Sequence, residues 1–359
     1  MTAHVRVLMT RAIVALALAA IALHTPSAHA QRQIRVVTSL TTYADIVRQI
    51  AGDRAEVTAI SDPNENPHMI QPKPSLVVVV KRADLLVTTG LDLELWLPTL
   101  LDKAGNSKIA SGSDGFVAVS QGVKLLDVPE TLSRSEGDMH IYGNHHIWTE
   151  PANLVVIGNN ILTGLKRVDP ANASHYEQGF ASWKERLMRA YVGDELVDIL
   201  GLDLLVDLDH EGELWGFLSS QSYRGRPLTE RAGGWLRQMA PIRGREVVCY
   251  HKQWSYFTRS FGISCGVYIE PKPGVPPTPR HVGDVISTIA ERNIRVLLAA
   301  NYYDRDQVEM VARRTGATAV IVPLNVDAGP NTGTVIDLVS VWINELTAAF
   351  ADRAAVSAP

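Results

Sequence analysis

Short apolar runs rich in β-branched residues alternate with amphipathic stretches in the first third of the chain. The apolar runs predict strands, because β-branched side chains favour extended backbone, and the amphipathic stretches predict helices. Strands that alternate with helices indicate βαβ units and a parallel sheet. The predicted elements, strand and helix in turn, are residues 34–38, 42–51, 56–60, 76–82 and 85–89.

The same alternation returns near the end of the chain, and two stretches of helical periodicity separate the two regions. A break at Asp169-Pro170 divides these two stretches, because proline disfavours continuation of a helix. The late strands are predicted at residues 246–250, 267–270, 295–299 and 319–322, and the helices at 152–165 and 174–191.

These patterns predict an α/β fold with two lobes, each a mostly parallel sheet flanked by helices, joined by a long backbone helix. We expect an N-terminal lobe at residues 31–150, a connecting helix at 151–191 and a C-terminal lobe at 241–359. Residues 192–240 are mostly helical and loop-like, and we interpret them as a helical insertion or cap on the second lobe.

The first 30 residues have the pattern of a secretory signal peptide. Arg6 and Arg11 precede an apolar run at 12–23, which is too short for the roughly 20 residues that span a bilayer. Ala28-His29-Ala30 then offers a small-residue cleavage site. We therefore expect cleavage after Ala30 and a periplasmic protein, with no lipid anchor because no cysteine stands near the cut.

Composition narrows the possible chemistry. The 359 residues include 34 basic and 38 acidic side chains, a net charge of -4, and this balance argues against a nucleic-acid partner. The two cysteines, Cys249 and Cys265, exclude a four-cysteine zinc or iron–sulfur site. In an oxidising compartment they could form a disulfide, or they could be two separate buried thiols, and the sequence leaves both interpretations open.

Three histidines follow predicted elements at places where a ligand site is expected. His68 lies in the loop after the second strand, and His251 directly follows the strand at 246–250, where ligands bind in open α/β sheets. His146 stands where the first lobe leads into the connecting helix. Neutral imidazole is a good ligand for zinc, so the three could converge on one ion. His140 and His145 belong either to a loop that hands metal inward or to the solvated surface.

With these motifs the chain resembles the periplasmic metal-binding proteins of zinc and manganese ABC importers, also called cluster 9 or cluster A-I solute-binding proteins. Residues 66–68 (NPH) stand where the family usually has Asp-Pro-His, 146–151 (HIWTEP) match His-x-Trp-x-Asp-Pro with Glu150 in the acidic place, and 250–257 (YHKQWSYF) match the third motif. The resemblance implies capture of a divalent ion by a monomer that is not an enzyme, and delivery of the ion to a membrane permease. It also implies three metal ligands: His68, His146 and His251.

One departure from the family concerns the fourth ligand. Many relatives have an aspartate just after the last strand, where this chain has Pro323. Asp327, Glu270 or a water molecule could take its place. Relatives selective for manganese often have glutamate as the third ligand, so His251 favours zinc, with Mn²⁺ or Fe²⁺ binding by the same fold as the alternative.

A secreted zinc hydrolase is the rival from another class, since catalytic zinc often keeps three protein ligands and a water. The chain has no H-E-x-x-H motif, and Glu150 and Glu270 are the candidate general bases. A surface adhesin of the same fold is a third possibility.

Overall fold

A computed structural model describes residues 32–71, 73–129, 141–272 and 274–356. The first sheet is four-stranded and parallel, in the order β2-β1-β3-β4. Its strands are β1 (Ile34–Thr38), β2 (Ala55–Ala59), β3 (Leu85–Thr88) and β4 (Phe116–Ala118), and the helices between them are α1 (Thr41–Ala51), α2 (Pro74–Lys81) and α3 (Leu97–Ala104).

The second sheet is also four-stranded and parallel, in the order β10-β9-β7-β8. Its strands are β7 (Glu246–Cys249), β8 (Ser264–Tyr268), β9 (Val296–Ala300) and β10 (Thr318–Val322). The helices α10 (Ser255–Phe261), α11 (Pro279–Arg292), α12 (Arg305–Thr315) and α13 (Val335–Val356) complete this lobe.

Two long helices join the lobes: α4 (Pro151–Val168) and α5 (Ala173–Val192). A 3-10 turn at Pro170–Asn172 separates them, at the break that the sequence predicts. The two helices pack so closely that a Cβ on Gly158 would stand only 2.4 Å from the Trp183 ring. This part of the prediction, two parallel-sheet lobes with a long helical connection, is confirmed.

The segment after α5 consists of short elements that pack on the connecting helices and on α13. The Tyr191 hydroxyl donates to the Asp209 carboxylate at 2.8 Å, and the Trp235 indole donates to Ser340 at 3.0 Å. The elements are α6 (Asp194–Leu200), α7 (Leu202–His210), α8 (Leu214–Ser220), a two-stranded hairpin of β5 (Ser222–Tyr223) and β6 (Arg226–Pro227), and α9 (Gly234–Met239).

Each sheet carries apolar side chains on both faces, in the alternation that strand geometry imposes. On β1, Val36 belongs to one large core cluster that both lobes share, whereas Val37 belongs to a smaller cluster under α2 and α3. On β9, Leu298 joins the shared core and Leu297 faces α11 and α12. The shared core therefore extends without interruption from one sheet to the other.

Hydrogen bonds also join the lobes directly. The Thr41 hydroxyl donates to the Val326 carbonyl at 2.6 Å, and the backbone N–H of Val335, which begins α13, donates to the Asp45 carboxylate at 2.8 Å. These bonds attach the start of α1 to the segment that follows β10.

The described residues include no helix that is both long and apolar enough to cross a membrane. The predicted signal peptide at residues 1–30 lies outside the described residues, as does His140. Two elements of the first lobe, α3 and β4, are additions to the predicted pattern.

Candidate metal centre

The loop after β2 presents His68 toward the cleft between the lobes. The Asn66 side chain accepts the backbone N–H of His68 at 3.1 Å, which closes a local turn, and the Trp96 indole donates to the Pro67 carbonyl at 2.9 Å. These bonds give a proline-containing loop a defined backbone path. The His68 ring is half-buried and is the most exposed of the histidines gathered here.

His146 lies just before α4 and is fully buried. Its Nδ1 lies 2.9 Å from the Asn144 side-chain oxygen, while the Asn144 amide nitrogen donates to Asp127 at 2.9 Å and to the Lys252 carbonyl at 2.8 Å. Since those two acceptors fix the orientation of the Asn144 amide, its oxygen must accept a proton from Nδ1. The Nε2 atom of His146 is then the one with a lone pair to offer a cation.

His251 follows β7 and is buried, with 4% of its surface exposed. Its Nδ1 contacts the Glu270 carboxylate, which the adjacent strand β8 brings alongside. A second oxygen of Glu270 accepts the backbone N–H of Gly274 at 3.0 Å. A carboxylate on Nδ1 fixes the tautomer that exposes Nε2 and makes that nitrogen a better metal ligand.

The three predicted histidines come together between the lobes. The ligand atoms of His68, His146 and His251 all lie within 4.8 Å of one another, and the Nε2 atoms of His68 and His146 are 3.4 Å apart. Two nitrogens that share a tetrahedral zinc ion at about 2.0–2.1 Å are separated by about 3.3 Å. The observed spacing is close to the spacing of two ligands on one ion.

Neither carboxylate that the sequence offers as a fourth ligand belongs to this group. Glu270 contacts the Nδ1 side of His251, opposite the ligand nitrogen. Asp327 is exposed in the turn after β10, where its backbone N–H donates to the Thr332 carbonyl at 2.8 Å.

His145 is where sequence reasoning gave the least guidance. Its ring is fully buried, and its Nε2 lies 3.2 Å from the Nε2 of His68. The idea that it belongs to the solvated surface is therefore wrong. The residues that fix Nδ1 of His146 and His251, namely Asn144 and Glu270, were not predicted in that role.

The cysteines are joined in a disulfide between β7 and β8, with 5.7 Å between the Cα atoms of Cys249 and Cys265. The register of the two strands places Val247 opposite Cys265, and a bulge follows. Of the two interpretations that the sequence leaves open, the disulfide is the one that the structure has. It links the strand that carries His251 to the strand that leads to Glu270.

Two parallel-sheet lobes on a helical connection, with buried imidazoles between them, define the class of substrate-binding proteins of metal ABC importers. A family model described as "ZnuA: Zinc-uptake complex component A periplasmic" matches residues 36–191 and 228–349. The chain belongs to this family. The interruption at 192–227 falls within the segment of short elements after α5.

Relatives and solved structures agree with this assignment. The chain is 26% identical over 340 residues to the "Iron-binding protein YfeA" of Yersinia pestis, covering 92% of this chain and 91% of the relative. It is 22% identical to the "Manganese ABC transporter substrate-binding lipoprotein PsaA" of Streptococcus pneumoniae, covering 80% and 79%. The solved structure "Crystal structure of ZnuA" shares the fold, with a TM-score of 0.65, 19% identity and coverage of 88% and 99%.

Proposed function

We propose that this protein captures one divalent metal ion, Zn²⁺, on His68, His146 and His251, and delivers it to the permease of an ABC importer from the periplasm. The observation that carries the proposal is the convergence of the three ligand atoms within 4.8 Å in a largely buried cleft. We expect a soluble monomer, cleaved after Ala30.

The donor set favours zinc. Three imidazole nitrogens suit Zn²⁺ better than the harder Mn²⁺, which prefers carboxylate oxygens and water. In the described residues, no carboxylate shares the 4.8 Å group with the histidines. Relatives are named for iron and for manganese, and a protein of similar fold has been solved in a manganese-bound form, so the choice of metal needs its own measurement.

The zinc hydrolase gains no support from the site. Glu150 is fully buried and accepts from Arg259 at 2.6 Å and from Ser260 at 3.0 Å, which leaves it no role as a base for a metal-bound water. Glu270 is engaged by Nδ1 of His251 and by the backbone of Gly274.

A His251→Asn variant tests the ligand assignment. The Asn amide nitrogen can still donate to Glu270 as Nδ1 does, so the change removes chiefly the ligand nitrogen. We expect Zn²⁺ affinity, measured by competition with a chromophoric chelator, to fall by at least about tenfold. Even the loss of a residue that only hydrogen-bonds to a metal ligand lowers metal affinity by about that much. His281→Asn, on α11 and outside the cluster, is the matched control. Undiminished affinity of the His251 variant would refute the assignment.

Native mass spectrometry of protein purified without added metal tests the choice of ion. We expect one zinc ion to be retained and to outcompete Mn²⁺ and Fe²⁺. Preferential retention of manganese would overturn the zinc assignment and leave the metal-binding role intact.

A further inference from the structure

The hydrogen bonding of His145 is that of a metal ligand rather than of a side chain that only packs in the core. Its Nδ1 lies 3.2 Å from the backbone carbonyl of Leu91. A carbonyl oxygen only accepts, so Nδ1 carries the proton in the neutral ring and Nε2 carries the lone pair. This is the same arrangement that Asn144 imposes on His146 and Glu270 on His251.

The distances around His68 fit a shared cation. Its Nε2 lies 3.2 Å from Nε2 of His145 and 3.4 Å from Nε2 of His146. A single proton on His68 Nε2 could be donated well to one of these two lone pairs but not to both. One zinc ion accepts all three lone pairs, and its tetrahedral ligands stand about 3.3 Å from each other, close to both distances.

We propose that His145 is a fourth imidazole ligand of the same ion, an inference that rests on the proposed function of the other three histidines. The His145 ring centroid lies 4.7 Å from that of His68 and 4.6 Å from that of His146, nearer than the His251 centroid, which lies 6.1 Å and 5.3 Å from those two. His145 stands outside the group whose ligand atoms all lie within 4.8 Å of one another.

A centre of four neutral imidazoles has a consequence for the choice of metal. It supplies no anionic ligand to the ion, so the charge is balanced from behind by Glu270 on His251 and by Asp127 through Asn144. Nitrogen-only coordination disfavours the oxygen-seeking Mn²⁺ and favours zinc. His145 would thus act as a specificity-determining residue.

The test counts imidazoles by X-ray absorption at the zinc edge. We expect four imidazole ligands in the zinc-loaded protein and three in His145→Asn, whose amide nitrogen can keep the bond to Leu91. We also expect the Zn²⁺ affinity of His145→Asn to fall by at least about tenfold. Circular dichroism of the metal-free variant checks that it folds.

Three imidazoles in the unsubstituted protein would overturn the inference whether or not the variant folds. If His145→Asn binds zinc as well as the unsubstituted protein while His68→Asn and His146→Asn do not, the fourth ligand is refuted and the proposed function stands. If none of the three variants loses affinity, the proposed function itself fails.

Discussion

Asp45 makes the stability of the fold depend on pH. It lies on α1, is 4% exposed and accepts the N–H of Val335 from the other lobe. Burial raises the pKa of Asp45 from 3.8 to about 6, and the hydrogen bond from Val335 only partly opposes this. Between these two pH values the folded chain keeps a proton that the unfolded chain has lost. Stability is therefore lost as pH rises through about 6.

The size of the effect follows from the pKa change. Two pKa units correspond to roughly 3 kcal/mol of unfolding free energy, which is fully lost above about pH 7. Asp45→Asn stays neutral and its oxygen can still accept from Val335, so it lacks this dependence. We expect the stability of the variant relative to the unsubstituted protein to grow from roughly 0.5 kcal/mol at pH 4 to roughly 3 kcal/mol at pH 7.5.

Urea unfolding of the metal-free proteins at several pH values measures this difference. Removing metal matters, because an ion that binds only the folded state adds its own pH-dependent stabilisation. Asp102→Asn, an exposed carboxylate on α3, is the control and should follow the unsubstituted protein. A difference between Asp45→Asn and the unsubstituted protein that is the same at pH 4 and pH 7.5 would refute the reasoning.

Two further predictions concern the lobe that carries His251. Replacing both cysteines, as Cys249→Ser with Cys265→Ser, removes a disulfide that spans 16 positions. We expect the free energy of unfolding, measured in urea, to fall by roughly 3 kcal/mol. An unchanged unfolding midpoint under non-reducing conditions would contradict this. Arg259→Ala leaves the buried Glu150 carboxylate without its cation. We expect this change to lower the free energy of unfolding in urea by roughly 3 kcal/mol. Arg292→Ala, at an exposed ion pair, should cost less than about 1 kcal/mol, and equal losses in the two arginine variants would show that burial of Glu150 is not the cause.

The sequence predicts the strands that are buried on both faces better than the short ones. Strand β9 (VLLAA) is aliphatic and buried at every position, a pattern typical of the interior of a parallel sheet, and β7 (EVVC) has two adjacent valines and is buried from Val247 onward. Strand β4 has only three residues, Phe116–Ala118, and takes its place from pairing with β3. No local pattern marks so short a strand.

The convergence of His68, His146 and His251 could be predicted because each follows a strand or precedes a helix at the edge where parallel strands end. The orientation of the neighbouring His145 ring could not be predicted in this way. His145 is one residue from His146, and its Nδ1 lies 3.2 Å from the carbonyl of Leu91, which adopts a positive φ of 58° in the turn after β3. That turn is far away in sequence and leaves no trace near His145.

The same limit applies to Glu270 and to the disulfide. Sequence alone marks Glu270 as a carboxylate near a strand end, which fits a metal ligand and a partner of a metal ligand equally well. The pairing of β7 with β8 decides between them, because it sets the end of β8 beside His251. It also brings Cys249 and Cys265 within bonding distance.

Glu150 shows how a motif residue can position the histidine cluster without belonging to it. It stands at the start of α4, four residues after His146, and both of its oxygens accept from Arg259 on α10, the helix that follows His251. Burial and the nearby Asp209 raise the pKa of Glu150, and the Arg259 guanidinium and the Ser260 hydroxyl oppose this rise by hydrogen bonding to the ionised form. An acid at this place in the motif therefore ties the segment that carries His146 to the segment that carries His251. Because Glu150 is buried against Arg259, this pair holds the two segments against each other in the interior.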